Sequence, residues 1–307
     1  MRTLALGLGL LPLAAVAVTG QEGPRVMQAS ELVGLPQPPA DHTIAYAEAK
    51  QQVAELRLPK GAGPHPVVIV IHGGCWQTPW AMDHVRSLAA ALTAEGLASW
   101  SLEYRRLGDP GGGWPGTFED VGRGADHLHA LAAAHRLDLD RVIALGHSAG
   151  GHLALWLAAR QRLPAASPLR GKRPLRLRGV IALAPIPDLR AGAAGRVCGD
   201  AIPRLLAGPP AEAAARMRDS SPIELLPLGV PQRLVCGGKD RLVPNELSRR
   251  YETAARKAGD ASSLELVESA GHFELVDPRS AAWPAVLRAV RDLLTGSFTR
   301  PGDLPSE

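Results

Sequence analysis

A chain of 307 residues, 46% of them hydrophobic, is long enough to bury one large core, and a single catalytic-sized domain is the expectation. Lys and Arg number 34 against 30 Asp and Glu, a net charge of +4 with no run of five like charges. So diffuse an excess excludes a nucleic-acid surface, which needs a clustered basic footprint.

The chain opens with "MRTLALGLGLLPLAAVAVTG", in which Arg2 precedes an apolar stretch from Leu4 to Val18 and small residues surround Thr19 and Gly20. This pattern predicts a secretory signal over 1–20, cleaved near Gly20, and export to the periplasm or exterior. The apolar stretch is short for a bilayer span and no cysteine follows it, so neither a stable membrane anchor nor a lipid anchor is expected. A Pro-rich linker over 21–40 should lead into a domain over 41–295, with a flexible tail over 296–307.

Within the domain, short apolar or β-branched runs alternate with helical patterns. Strands are predicted at Val53–Leu58, Pro66–His72, Leu97–Glu103, Arg141–Leu145, Leu177–Ala184, Arg233–Cys236 and Leu264–Glu268. Helices are predicted at Ala81–Glu95, Phe118–His135, Gly150–Arg160, Asn245–Ala258 and Arg279–Leu294. Strands such as "PVVIVIH" are apolar on both faces, as a parallel sheet covered on both sides requires. The alternation predicts an α/β fold, a mostly parallel central sheet flanked by helices, with ligands at the carboxyl ends of the strands. The segment 185–231 breaks the rhythm with many Pro, Gly and Ala residues and a short helical piece; a lid-like pocket wall and a surface excursion both fit it.

The chemistry concentrates in four stretches. "RVIALGHSAGGHLALWLAAR" sets Ser148 between Gly146 and Gly150 where a strand gives way to a helix. Such a turn projects the hydroxyl out of the sheet at a helix N-terminus, so Ser148 is the candidate nucleophile, with His147 a candidate for the substrate pocket. A serine hydroxyl needs a base, and in this topology an acid and a histidine follow on loops after later strands. Asp240 follows the Arg233–Cys236 strand and His272 follows the Leu264–Glu268 strand, with Asp277 and Glu274 as fallback acids. His42, His65, His84, His127, His129 and His135 read as surface or helix residues.

"VVIVIHGGCWQTPW" supplies a glycine turn whose N–H groups can receive the charge of a tetrahedral oxyanion. The donors expected are the N–H groups of Gly74, Cys75 and Ala149, with Cys75 acting through its backbone and His72 and Gly73 supporting the loop. Trp76 and Trp80 are candidate pocket walls, although either could equally pack in the core. The three cysteines, Cys75, Cys198 and Cys236, allow one disulfide in an oxidising compartment, for which Cys198–Cys236 is the expected pair. No CxxC or His-x₃-His cluster is present, so no metal and no cofactor are expected.

With H-G-G-C-W, G-H-S-A-G, G-G-K-D and G-H-F in this order, the chain resembles an α/β-hydrolase of the H-G-G-x-W esterase and kynurenine formamidase branch over about Tyr46 to Leu294. A more distant resemblance links it to prolyl-oligopeptidase catalytic domains. The resemblance implies Ser148, Asp240 and His272 as a triad and hydrolysis of a small ester or amide through an acyl-enzyme. An export signal favours a general ester hydrolase over a formamidase, which is an intracellular activity. An exopeptidase or an acyltransferase could use the same triad, whereas a non-catalytic binding module would be expected to have lost its serine or histidine.

Overall fold

The computed structural model describes residues 25–296 apart from 166 and 168. The predicted signal over 1–20 and nearly all of the predicted tail lie outside the described residues.

The run His65–Ile71 shows how the core is divided. Successive strand side chains point to opposite faces, so Val67, Ile69 and Ile71 enter one hydrophobic cluster while Val68 and Val70 enter another. All five are fully buried, which is why the run is apolar throughout. Eight strands share this sheet: β1 (His42–Ala45), β2 (Val53–Arg57), β3 (His65–Ile71), β4 (Ala98–Leu102), β5 (Leu137–His147), β6 (Gly179–Leu183), β7 (Gln232–Gly237) and β8 (Ser262–Val267). Their spatial order is β1-β2-β4-β3-β5-β6-β7-β8. Only the β1–β2 and β2–β4 pairs are antiparallel, so this is the mostly parallel α/β-hydrolase sheet that the sequence predicts.

Ten helices accompany it among the described residues: α1 (Ala29–Leu32), α2 (Arg86–Ala94), α3 (Gly116–Asp126), α4 (Leu128–Leu131), α5 (Ala149–Ala159), α6 (Leu189–Ala194), α7 (Ala201–Leu205), α8 (Pro210–Ser220), α9 (Asn245–Lys257) and α10 (Trp283–Thr295). Leu88 and Leu92 of α2 and Val286, Val290 and Leu293 of α10 cover one face. Phe118 of α3, Tyr251 of α9 and the whole of α5 cover the other. Every residue of α5 is buried, consistent with a helix that is apolar all round.

The structure corrects several expectations. β1 went unpredicted because its four residues are mostly exposed and carry little alternation. The single helix expected over 118–135 is two pieces, α3 and α4, meeting at His127. Nor is the stretch 25–40 a bare linker: Leu32 and Leu35 are buried in the core beside α2 and β3. Apolar side chains on this otherwise polar, Pro-containing stretch gain more by packing than by staying in water. The 185–231 segment folds into α6, α7 and α8, with Leu189, Ile202 and Leu205 buried.

The disulfide also differs from the expected Cys198–Cys236 pair. Cys75 and Cys198 are bonded, with Cα atoms 5.6 Å apart, whereas Cys236 is free and buried on β7 beside Ser248. Cys236 lies on β7, between β6 and β8 in the sheet, while Cys198 is held by Cys75. Cys75 therefore contributes more than its backbone: it fastens the glycine loop after β3 to the 185–231 segment.

A cross-link between residues 123 positions apart restricts the unfolded chain strongly, and its loss typically costs about 2–5 kcal/mol. Cys198→Ala and Cys75→Ala should therefore lower Tm by similar amounts, and the double variant should lose little more than either single one. Thermal unfolding followed by circular dichroism checks this. Additive losses would show that the two thiols act separately.

Candidate active site

β5 ends at His147, α5 begins at Ala149, and Ser148 alone makes the corner, at φ 56° and ψ −120°. A non-glycine residue held there costs on the order of 1–3 kcal/mol and persists only where its surroundings enforce it. Close packing does so. A Cβ on Gly146 would lie 2.0 Å from the Gly150 carbonyl oxygen, and one on Gly150 would lie 2.1 Å from the Ile71 carbonyl oxygen. The Ser148 N–H donates to the Leu183 carbonyl at 2.8 Å, fixing the corner to β6.

Asp240 and His272, far apart in sequence, meet at the ends of β7 and β8. His272 Nδ1 donates to Asp240 Oδ2 at 2.6 Å, and the Asp240 side chain is fully buried. Its other oxygen, Oδ1, accepts the N–H groups of Leu242 and Val243 at 2.8 and 3.0 Å. The G-G-K-D-R-L-V turn thus holds the carboxylate with one oxygen aimed at the imidazole. The fallback acids are committed elsewhere: Glu274 accepts the N–H groups of Met27 and Gly271, and Asp277 pairs with Arg279. His147 Nε2 donates to the His272 carbonyl at 3.0 Å, tying the corner to the histidine loop.

Ser148 and His272 face one cleft of about 250 Å³, whose walls include Gly74, Cys75, Trp80, His147, Cys198, Leu242, Val243 and Phe273. Gly74 has φ +98°, and a Cβ there would lie 2.1 Å from the Trp80 Cβ, so only glycine fits. Cys75 and Trp76 are also left-handed, at φ 55° and 56°. Among the described residues, the N–H groups of Gly74, Cys75 and Ala149 take no protein acceptor, whereas that of Gly73 donates to His84 Nε2. Gly74 and Cys75 line the cleft with Ser148, and Ala149 follows Ser148 directly at the start of α5.

His72 hydrogen-bonds within this loop and to β4's end. Its Nδ1 lies 2.8 Å from the Gly73 carbonyl and its Nε2 2.8 Å from Glu103 Oε1, while its ring stacks on Tyr104. Glu103 also accepts the Met82 N–H, and Arg106 lies 3.6 Å from it and donates to the Trp80 carbonyl. Burial alone would raise the Glu103 carboxyl, but the His72 ring and the Arg106 guanidinium bring it down to about 2.

Trp76 and two histidines depart from expectation. Trp76 is fully buried and donates through Nε1 to His152 Nδ1 at 3.2 Å, so it is packing and Trp80 is the pocket wall. His152 in turn donates through Nε2 to the Ser220 carbonyl at 2.9 Å, and Trp156 Nε1 donates to the Asp219 carbonyl. These bonds fasten the end of the 185–231 segment to α5. Sequence reading passed over His152; its signal was a polar residue on an otherwise apolar helix. His84, read as a surface or helix residue, is buried and lines the cleft.

Burial sets the protonation of these histidines. It lowers His84 to about 3, with the neighbouring His72 adding to the shift, and lowers His152 to about 4. His147 is pushed well below the ordinary value by burial, then by His272 and His84. Unfolding frees each to titrate near 6.5, so each contributes stability above that pH and loses it as pH falls toward its folded value. Folding stability should drop from about pH 6.5 downward, by up to about 1.4 kcal/mol per pH unit for each histidine. Urea unfolding at pH 7.5, 6 and 5 measures this; a constant midpoint would contradict the neutral assignment.

Residues 55–254 match the family model described as BD-FAE, which covers more than half of the chain. A stretch of 116 residues, 36% of this chain, is 28% identical to the "Probable isoprenylcysteine alpha-carbonyl methylesterase ICMEL1" of Arabidopsis thaliana and spans 23% of that protein. Among solved structures, a truncated carbohydrate esterase from gut microbiota superposes with a TM-score of 0.71 at 18% identity, over 84% of this chain and 99% of that one. Esterase B of Lactobacillus rhamnosis superposes with a TM-score of 0.70 at 21% identity, over 87% and 90%. A propionate-bound thermophilic esterase of Thermogutta terrifontis gives 0.69 at 20% identity, over 86% and 96%. At these identities the superpositions speak for the fold, while the family model carries the assignment: the chain belongs to the BD-FAE family of esterase-type α/β-hydrolases.

Proposed function

We propose that the protein is a serine carboxylesterase for small neutral esters, acting through an acyl-enzyme. The 2.6 Å bond between His272 Nδ1 and Asp240 Oδ2, in the cleft that Ser148 faces, carries this reading. Asp240 holds the imidazole with Nδ1 protonated, which leaves Nε2 as the base that takes the Ser148 proton. The Ser148 oxygen attacks the ester carbonyl, and the charge that develops on the carbonyl oxygen falls to the N–H groups of Gly74, Cys75 and Ala149. The N-terminus of α5 adds its dipole at the same place. His272 returns the proton to the departing alcohol, and water then repeats the sequence on the acyl-enzyme.

The cleft favours an ester over N-formylkynurenine. Among the described residues its lining contains no Arg or Lys to pair with an amino-acid carboxylate, and Leu32, Trp80, Leu242, Val243 and Phe273 make it largely apolar. Its size suits a short acyl group, and the Thermogutta terrifontis esterase has been solved with propionate and with butyrate bound. We also propose that residues 1–20 direct export. The Cys75–Cys198 bond supports this, because structural disulfides persist in oxidising compartments.

Turnover of p-nitrophenyl acetate and butyrate tests the reading. Ser148→Ala should retain less than about one thousandth of wild-type kcat, and Asp240→Asn should lose up to about 10⁴-fold by favouring the wrong tautomer. A Ser148→Ala protein as active as wild type would exclude the serine. N-formylkynurenine should be turned over poorly, and a kcat/KM above that of the esters would favour the formamidase instead.

A further inference from the structure

The stretch 25–35 is part of the cleft itself. Ala29 and Leu32 of α1 line the same cavity as Ser148 and His272, as do His84 and Phe273. Leu32 is 1% exposed and Leu35 3% exposed, in the same buried cluster as Met82, Leu275 and Val276. The stretch is also latched to the histidine loop. Glu274 accepts the Met27 N–H through Oε1 at 2.6 Å and the Gly271 N–H through Oε2 at 3.0 Å, so one carboxylate spans both segments. A Cβ on Gly271, the residue before His272, would meet the Val26 Cβ at 3.0 Å. Glu31 holds α1 in shape by accepting the Gln28 N–H at 2.8 Å.

From this contact set we infer that α1 is the specificity wall of the site. Leu32, with Ala29 beside it, limits the length of the apolar chain that an ester can place next to Ser148. Glu274 is a positioning residue that keeps this wall in register with His272. The latch is polar and rests on two backbone N–H groups, while the wall is apolar and presents one large side chain to the cleft. Substitution in the wall should therefore alter which ester fits without altering the reacting groups. The inference rests on the esterase reading.

Two ester series test it: p-nitrophenyl esters with acyl chains from acetyl to octanoyl, and acetates of alcohols from ethyl to octyl. Leu32→Ala should raise kcat/KM for the longer members of one series relative to the shortest by about fourfold for each further methylene admitted, mainly through KM. Ala29→Leu, at a half-buried position, should narrow the same profile. Glu274→Gln should broaden it as Leu32→Ala does. A length profile unchanged in both series for Leu32→Ala and Ala29→Leu, with both variants folded, overturns the proposal.

Binding separates this failure from failure of the esterase reading. Calorimetric titration of butyrate, hexanoate and octanoate into Ser148→Ala, and into the same protein with Leu32→Ala added, needs no turnover. A wild type inert toward every ester would sink the esterase reading, while a length preference that still shifts on Leu32→Ala would uphold the wall. Identical carboxylate preferences in the two proteins, together with unchanged ester profiles, would remove the wall and leave the esterase reading standing.

Discussion

The architecture turns on the single-residue corner at Ser148. A strand and a helix joined by one left-handed residue bring the N-terminus of α5 against the carbonyls at the end of β3, closer than any Cβ at Gly146 or Gly150 would permit. That proximity places the glycine loop after β3, the corner, and the loops after β7 and β8 around one small cleft. The strain at Ser148 is borne by a helix buried along its whole length and by a sheet packed on both faces. A less rigid frame would let the corner relax and turn the hydroxyl away from the cleft.

Around the corner, polar side chains do the bracing that apolar packing cannot, because loops carry backbone groups that need partners. His72, Glu103, Tyr104 and Arg106 occupy the acceptors and donors of the loop from Gly73 to Met82. His152 takes the Trp76 indole on one side and the Ser220 carbonyl on the other, linking that loop through α5 to the 185–231 segment. The Cys75–Cys198 bond joins the same two segments a second time. The loop after β3 is thus held through its side chains and carbonyls.

Much of this was legible in the sequence, for identifiable reasons. The parallel sheet shows in strands that are apolar on both faces, and Ser148, Asp240 and His272 each follow a strand end. What escaped reading depends on the third dimension. Cys75 and Cys198 become neighbours only because the 185–231 segment folds back over the strand ends, and no spacing rule reveals that. Trp76 and Trp80 stand four residues apart in one loop, yet the first is buried against His152 and the second lines the cleft, a difference that composition does not show. Polar, Pro-containing composition concealed Leu32 and Leu35, whose burial depends on the surface offered by α2 and β3.

On the proposed mechanism, Ser148 is the residue that becomes acylated. The most direct measurement is reaction with a fluorophosphonate, followed by intact mass and peptide sequencing by mass spectrometry, since such a reagent traps only a serine that is activated by its base. One adduct per chain, located on Ser148 and greatly slowed in Asp240→Asn, is the predicted result. No adduct on the folded protein, or an adduct on another residue at full stoichiometry, would exclude Ser148 as the nucleophile.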